Sequence, residues 1–265
     1  MTNKICSIRE RVTKQKPLIH CITNPISINQ CANAILSVGA KPIMAEHPKE
    51  VCEITEVSDA LMMNTGNITD ARMESIMLSL TKAKERHIPV LLDIVGIACS
   101  QLRREYISSL FKIHIPDVIK GNYSEIAALQ DGKYFSPGVD ADSSLNVCHI
   151  TNTAEKLALK YNTVILATGQ TDIITDGRKT IYVKNGTPQL ACVTGTGCML
   201  GALCTTFMTS ACAIESAISA CCYFGICGEL AKTDSGNGSF MVKLMDSIST
   251  LSREEMLKHI NMEEK

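Results

Sequence analysis

Short apolar runs that end on a polar residue recur along this chain, and most are followed by a stretch with helical spacing. Residues 17–23, 41–45, 60–64, 88–95, 117–122 and 162–168 read as strands, and 3–14, 27–38, 50–57, 70–86 and 153–161 as helices. Strands alternating with helices predict an α/β fold, a mostly parallel sheet with helices on both faces. Residues 172–177 and 180–183 add an antiparallel hairpin late in the sheet, and 189–193 reads as a further extended run. Two apolar helices are expected over 198–208 and 214–231, with two short helices finishing the chain. Residues 131–144 read as a polar loop containing Gly and Asp. At 265 residues, one domain over residues 1–265 is expected.

A hydrophobic fraction of 45% is enough for a sizeable core, and a net charge of −1 argues against nucleic-acid or membrane-surface partners that need a basic face. The apolar segments 198–212 and 214–231 pass for membrane spans on hydropathy, but Ser, Thr and Glu215 interrupt them, so a buried helical pair is expected. The first residues carry no apolar leader, which reads as a soluble, cytoplasmic protein. Thirteen cysteines in a chain of this length, without zinc-like spacing, read as reduced and mostly as small core residues.

The stretch Val193-Thr-Gly-Thr-Gly-Cys-Met199 joins the extended run to the first apolar helix. Gly195 and Gly197 remove side chains and permit positive φ. The N–H groups that open a helix lack intrahelical partners, so such a turn suits a phosphate. Thr194 and Thr196 offer hydroxyl donors or caps. The plainer reading, a tight turn before a core helix, stands beside this one. The string is neither a Walker A loop nor a dinucleotide fingerprint. In a parallel sheet the polar residues at strand ends converge: Asn24, Asn64, Asp93, Lys120, Asn122, Glu125 and Thr168. Taken singly each has a structural reading; Glu125, for example, fits a helix capping box. Together, two carboxylates, a cation and an anion-binding turn fit magnesium–nucleotide chemistry.

Eight strings, in this order, resemble the hydroxyethylthiazole kinase family of the ribokinase-like superfamily. They are His20-Cys-Ile-Thr-Asn24, Gly39-Ala-Lys-Pro-Ile-Met-Ala45, Asn64-Thr-Gly66, Leu92-Asp-Ile-Val-Gly96, Lys120-Gly-Asn-Tyr-Ser-Glu125, Ala167-Thr-Gly169, Val193-Thr-Gly-Thr-Gly-Cys198 and Gly236-Asn-Gly-Ser-Phe240. The resemblance implies a three-layer ribokinase-like fold and Mg²⁺-dependent transfer of a phosphoryl group from ATP to the primary hydroxyl of 4-methyl-5-(2-hydroxyethyl)thiazole. It implies that Gly195, Thr196, Gly197 and Cys198 surround the reacting groups, that Asp93 and Glu125 act on Mg²⁺, and that Lys120, Asn122, Thr168 and Thr194 contact ATP. Asn24, Pro25, Met44 and Gly195 would line the thiazole pocket, in a homotrimer with sites at subunit interfaces.

Three positions are distinctive. Cys198 stands where most sugar kinases of the superfamily carry an aspartate base, and a loose phosphoryl-transfer transition state asks little of a base. Lys120 replaces the family's usual Arg, keeping charge but losing the bidentate fork, so weaker or less discriminating nucleotide binding is expected, with catalysis retained. Ile94 replaces a common Pro, restoring an N–H and freeing φ, so a less rigid loop is expected. Rival readings are a neighbouring ribokinase-like enzyme acting on another acceptor, a cysteine hydrolase using Cys198 with His20, and a non-catalytic sensor.

Overall fold

The computed structural model describes residues 1–131 and 146–265. Most of the polar loop expected at 131–144 therefore lies outside the described residues. In chain order the elements are α1 (Thr2–Cys6), α2 (Ile8–Gln15), β1 (Leu18–Ile22), α3 (Ile28–Ser37), β2 (Lys41–Ile43), α4 (Val51–Glu56), β3 (Ala60–Asn64), α5 (Asp70–Arg86), β4 (Val90–Asp93), α6 (Gln101–Ile113), β5 (Val118–Asn122), α7 (Tyr123–Gln130) and α8 (Val147–Tyr161). Then follow β6 (Val164–Thr168), β7 (Asp172–Thr175), β8 (Thr180–Val183), α9 (Thr196–Met208), α10 (Ala213–Ala231), α11 (Asn237–Thr250), α12 (Arg253–His259) and β9 (Met262–Glu264).

The strands form one sheet in the order β2-β1-β3-β4-β5-β6-β7-β8-β9. Strands β1 to β6 run parallel, and β7, β8 and β9 add antiparallel. The chain leaves β1 for β2 on one side and returns to β3 on the other, so the order reverses at the β1/β3 boundary. In open α/β sheets that reversal opens a crevice beyond the strands' carboxyl ends.

Two apolar layers cover the sheet. One packs Cys31 and Ile35 of α3, Met199 and Leu203 of α9, Ile218 and Cys222 of α10 and Phe240 of α11 against Cys21, Met62, Leu91 and Val118. The other packs Ile76 and Leu80 of α5, Ile107 of α6, Ile126 of α7 and Leu157 of α8 against Leu61, Met63, Leu92 and Ile119. Successive side chains of a strand point to opposite faces, which is why neighbours such as Leu91 and Leu92 belong to different layers. Helix α10 is long and apolar enough to cross a membrane, yet 72% of its apolar window is buried, as expected of a core helix. All thirteen cysteines are free.

Several elements differ from the sequence reading: the helix expected over 3–14 divides at Ser7 into α1 and α2, and α8 begins at Val147 rather than Thr153. Residues 189–193 are not extended: Pro188–Cys192 is a 3-10 turn with Pro in its first turn, opened by Thr187, whose hydroxyl accepts the Gln189 N–H. The Gln189 carboxamide pins the turn by two bonds to the Thr233 backbone. Residues 101–113, which the sequence reading left unassigned, form helix α6, capped by the Ser100 hydroxyl. The chain does not finish on two short helices. Helix α11 runs 14 residues, and β9 ends the chain by pairing with β8.

Candidate active site

The parallel register sets Asn64 beside Asp93, and Asp93 beside Lys120. These three side chains point to the α9 side of the sheet, as does Cys21 two places before Thr23 at the end of β1. Asn64, Asp93 and Lys120 are 0%, 1% and 4% exposed, so the carboxyl ends of the central strands form a buried polar floor.

Lys120 Nζ donates to Asp93 Oδ2 at 3.0 Å, and Asn64 Nδ2 donates to the same oxygen at 3.1 Å. Asp93 Oδ1 is buried and has no hydrogen-bond partner among the described residues. Burial raises the Asp93 carboxyl above its ordinary value, against the pull of Lys120. Burial disfavours the Lys120 charge too, but Asp93, Cys198 and Glu125 outweigh it and raise its pKa, so the ammonium stays charged.

Gly195 lies over this floor. It is the N-cap of α9, with φ of +89°, a conformation that L side chains rarely adopt. A Cβ on Gly197 would stand 3.7 Å from Lys120 Nζ, so the glycine turn sits directly over the lysine. A Cβ on Gly201, one turn further, would come within 2.8 Å of Met62 Cε, so α9 lies close enough to β3 that a larger residue there would displace the end of the Met62 side chain. Thr196 does not serve as a cap or face the crevice: its hydroxyl donates back to the Leu190 and Val193 carbonyls. Thr194 is exposed on the turn.

Cys198 is half-buried in the first turn of α9, and its sulfur accepts from Asn24 Nδ2 at 3.3 Å and Asn64 Nδ2 at 3.4 Å. Burial, then the Asp93 charge, raises the thiol pKa, which favours the neutral form. His20 is not available to it: its ring nitrogens lie 2.9 Å from Thr55 Oγ1 and 2.9 Å from the Ala45 carbonyl. His20 therefore forms no hydrolase-type pair with Cys198, since such a pair needs the base within reach of the thiol.

Glu125 stands in the first turn of α7, directly after β5. Its carboxylate accepts the Gly96 N–H at 2.7 Å and the Asn122 N–H at 2.8 Å, while the Asn122 side chain accepts the Glu125 N–H. This is the capping box that the plainer sequence reading allowed. Burial and then Asp93 push the Glu125 carboxyl up to about 7. Ile94 does not loosen its loop: the restored N–H donates to the Lys120 carbonyl at 2.9 Å, a bond that a proline would forfeit.

The outer residues are less gathered. Thr168 is half-buried beside Asn122 across β5 and β6, and its hydroxyl donates to the Gly121 carbonyl at 3.4 Å. Met44 packs against the α9-side core from the segment after β2, and Pro25 is exposed at the crevice mouth beside Asn24. The sequence reading placed Asn64 among the strand ends without a role, and it missed Ser27, whose N–H fixes Asn24 and whose Cβ lies 3.3 Å from a Cβ built on Gly195. An Asn followed two residues later by Gly was the available signal for Asn64, since an Asn side chain at a strand end readily takes up such an N–H.

A divalent cation can be tested against these groups. Among the described residues no cluster of three His, Cys, Asp or Glu side chains could cage a metal. One buried carboxylate oxygen without a donor, with a second carboxylate nearby, does suit Mg²⁺, which keeps waters and phosphates in its shell.

The profile of the hydroxyethylthiazole kinase family matches residues 9–254. The chain belongs to this family. It is 43% identical over 260 residues to hydroxyethylthiazole kinase 2 of Clostridium botulinum (strain Hall), covering 96% of this chain and 98% of that protein. It is 40% identical over 268 residues to hydroxyethylthiazole kinase of Methanosarcina acetivorans, covering both in full. The structure of the hydroxyethylthiazole kinase protein of Pyrococcus horikoshii OT3 superposes with a TM-score of 0.89 at 31% identity, covering 99% of each chain. A ribokinase-like superfamily protein of Enterococcus faecalis superposes with a TM-score of 0.66 at 14% identity over 91% of this chain and 89% of that one, a likeness of fold. The fold is thus ribokinase-like, three layers about a mostly parallel sheet.

Proposed function

We propose that this protein, as one domain, transfers the γ-phosphoryl group of ATP to the primary hydroxyl of 4-methyl-5-(2-hydroxyethyl)thiazole, a step of thiamine biosynthesis, in the cytoplasm. Family membership supports the acceptor and the reaction class. The observation that carries the mechanism is the joined set Cys198, Asn24, Asn64, Asp93 and Lys120 under the Gly195–Gly197 turn. Phosphoryl transfer asks for positioning and charge stabilisation more than covalent chemistry. The unpartnered N–H groups opening α9 and the Lys120 ammonium beneath them face the place where charge builds on the transferred group. Thr168, Asn122 and Thr194 lie on the nucleotide side. Asn24, Pro25, Met44 and Gly195 border the alcohol, whose hydroxyl meets Cys198. With its raised pKa, Cys198 acts as a neutral neighbour of that hydroxyl rather than as a strong base. Asp93 Oδ1, with Glu125 behind it, would hold Mg²⁺, which would neutralise phosphate charge when bound.

The homotrimer belongs to the same proposal. Ile26, Leu36 and Val242 are 57%, 55% and 62% exposed, and a groove of about 540 Å³ between α3 and α11 is lined by Leu36, Met241 and Met245 together with Asn29, Gln30, Asn33 and Ser37. This mixed face, with its exposed apolar side chains, adjoins the crevice mouth at Pro25 and suits burial against a second copy. A panel of small primary alcohols with ATP tests the acceptor. Hydroxyethylthiazole is expected to give the fastest ADP release and a phosphomonoester product; faster turnover of a hydroxymethylpyrimidine or a pyridoxal-type alcohol would overturn the assignment.

A further inference from the structure

The Asn64 carboxamide can be oriented atom by atom. Its Oδ1 lies 2.7 Å from the Gly66 N–H, and a backbone N–H can only donate, so that atom is the oxygen. A Cβ on residue 66 would come within 2.8 Å of the same oxygen, so glycine is required there for the contact. The Nδ2 group is thereby turned to Asp93 Oδ2 at 3.1 Å and Cys198 Sγ at 3.4 Å. Asn24 is fixed in the same way: its Oδ1 accepts the Ser27 N–H at 3.2 Å, which turns Nδ2 to Cys198 Sγ at 3.3 Å and to Asn64 Oδ1 at 3.4 Å. Two N–H donors thus converge on one sulfur, and one of the two also holds the buried carboxylate.

We infer that Asn64 is a positioning residue that ties the two halves of the reaction together, orienting the Cys198 thiol on the alcohol side and the Asp93 carboxylate on the phosphate side. The inference rests on the proposed reaction for its meaning and on the hydrogen-bond geometry for its content. With Oδ2 taken by Asn64 and Lys120, Oδ1 is the oxygen left to meet a cation. With both carboxamides donating to sulfur, the S–H proton lies away from them. Asn24 reaches only the thiol half, and that difference separates the two residues experimentally.

Asn64→Asp keeps the shape and the Gly66 contact and replaces the donor by an acceptor. Loss of an N–H donor makes a thiolate harder to form, whereas loosened packing exposes the thiol. Alkylation of Cys198 by iodoacetamide at fixed pH, followed by peptide mass spectrometry in protein without substrates, therefore has opposite signs for the two causes. The rate is expected to fall roughly tenfold in Asn64→Asp, and likewise in Asn24→Asp. Only Asn64→Asp is expected to raise the Mg²⁺ concentration needed for half-maximal turnover; its kcat is expected to fall roughly 100-fold with little change in KM for the alcohol, whereas Asn24→Asp, which borders the alcohol, is expected to raise that KM. Wild-type or faster alkylation of Asn64→Asp, or kcat within threefold of wild type, would overturn the inference. The alkylation result does not depend on the identity of the alcohol, so failure of the acceptor assignment and failure of this one are told apart. If Asn64→Asp does not fold, the wild-type fold carries the test. In ¹⁵N-labelled protein Cys198→Ala is expected to shift the side-chain NH₂ signals of Asn24 and Asn64, and Mg²⁺ that of Asn64 alone; an Asn64 signal unmoved by both overturns it.

Discussion

The two faces of the sheet are buried alike and end differently. At the last turn of β3, β4 and β5 the face under α9 presents Asn64, Asp93 and Lys120, while the face under α5 to α7 presents Met63, Leu92 and Ile119, each fully buried. One residue of register separates the sets, because the strand period is two. The apolar face supplies the rigidity against which the polar face is held. The polar face accepts the cost of a buried ion pair and an unpartnered carboxylate oxygen, a cost that makes sense where a charged ligand completes it. Stability and chemistry are thus divided between faces, and substitutions on each should show it.

The largest effect is expected from Asp93→Ala. It leaves the Lys120 ammonium buried without its partner, costing roughly 3–5 kcal/mol in unfolding free energy, and removes the oxygen proposed for the cation, costing on the order of 10³ in turnover. Leu92→Ala, one residue back, should cost about 2–5 kcal/mol by cavity formation while leaving turnover per folded molecule near wild type. Denaturant titrations with activity normalised to folded protein check both. A Leu92→Ala protein that is folded but inactive would break the comparison.

Next comes pH. The Glu125 carboxyl is raised from 4.5 to about 7 by burial and Asp93. The folded state therefore binds the proton more tightly than the unfolded chain, and stability present below about pH 4.5 is lost as pH rises towards 7. The full span is worth at most roughly 3 kcal/mol. Unfolding midpoints between those limits should fall with pH in wild type and less steeply in Glu125→Gln, where Asp172, raised by burial to about 6, still contributes, while Mg²⁺ affinity, which needs the carboxylate, should rise across the same window.

Gly197→Ala sharpens the distinction further. The added Cβ meets nothing closer than Lys120 Nζ at 3.7 Å, and α9 gains a better helix former. Thermal stability should hold or increase, while turnover falls roughly tenfold because the methyl group intrudes where phosphate is bound. Gly195→Ala instead meets Ser27 Cβ at 3.3 Å at a φ of +89° and should lose stability as well. The smallest effect is expected at the thiol: Cys198→Ser should keep turnover within about tenfold of wild type, because a loose transition state asks little of a base. Complete loss with both substrates still bound would restore Cys198 as an essential base.

The sequence showed the strand ends and the glycine turn because parallel strands with polar last residues are a local pattern, and alternation then sends those residues to a common face. It did not show what Glu125 is bonded to, since a capping box and a metal ligand ask for the same side chain at the same place. Residues 189–193 have strand composition, and only the Pro188 start and the Gln189 bonds to Thr233 make them turn. Strand β9 is three residues with two charges, stabilised by pairing with β8 and by Lys184–Glu263 and Lys179–Glu264 ion pairs that no local pattern announces. Ile94 reads as a loosened loop until its N–H is found on the Lys120 carbonyl. Non-local partners decided the Gln189 turn, β9 and Ile94, whereas Glu125 is set by a local capping box and by the distant Gly96 N–H together.

The most direct measurement is ADP release by the wild-type protein with hydroxyethylthiazole present and absent, in Mg²⁺ and again in EDTA. The account expects ADP and thiazole phosphate in equal amounts only when alcohol and Mg²⁺ are both present. ADP released at the same rate without the alcohol, or undiminished in EDTA, would contradict it.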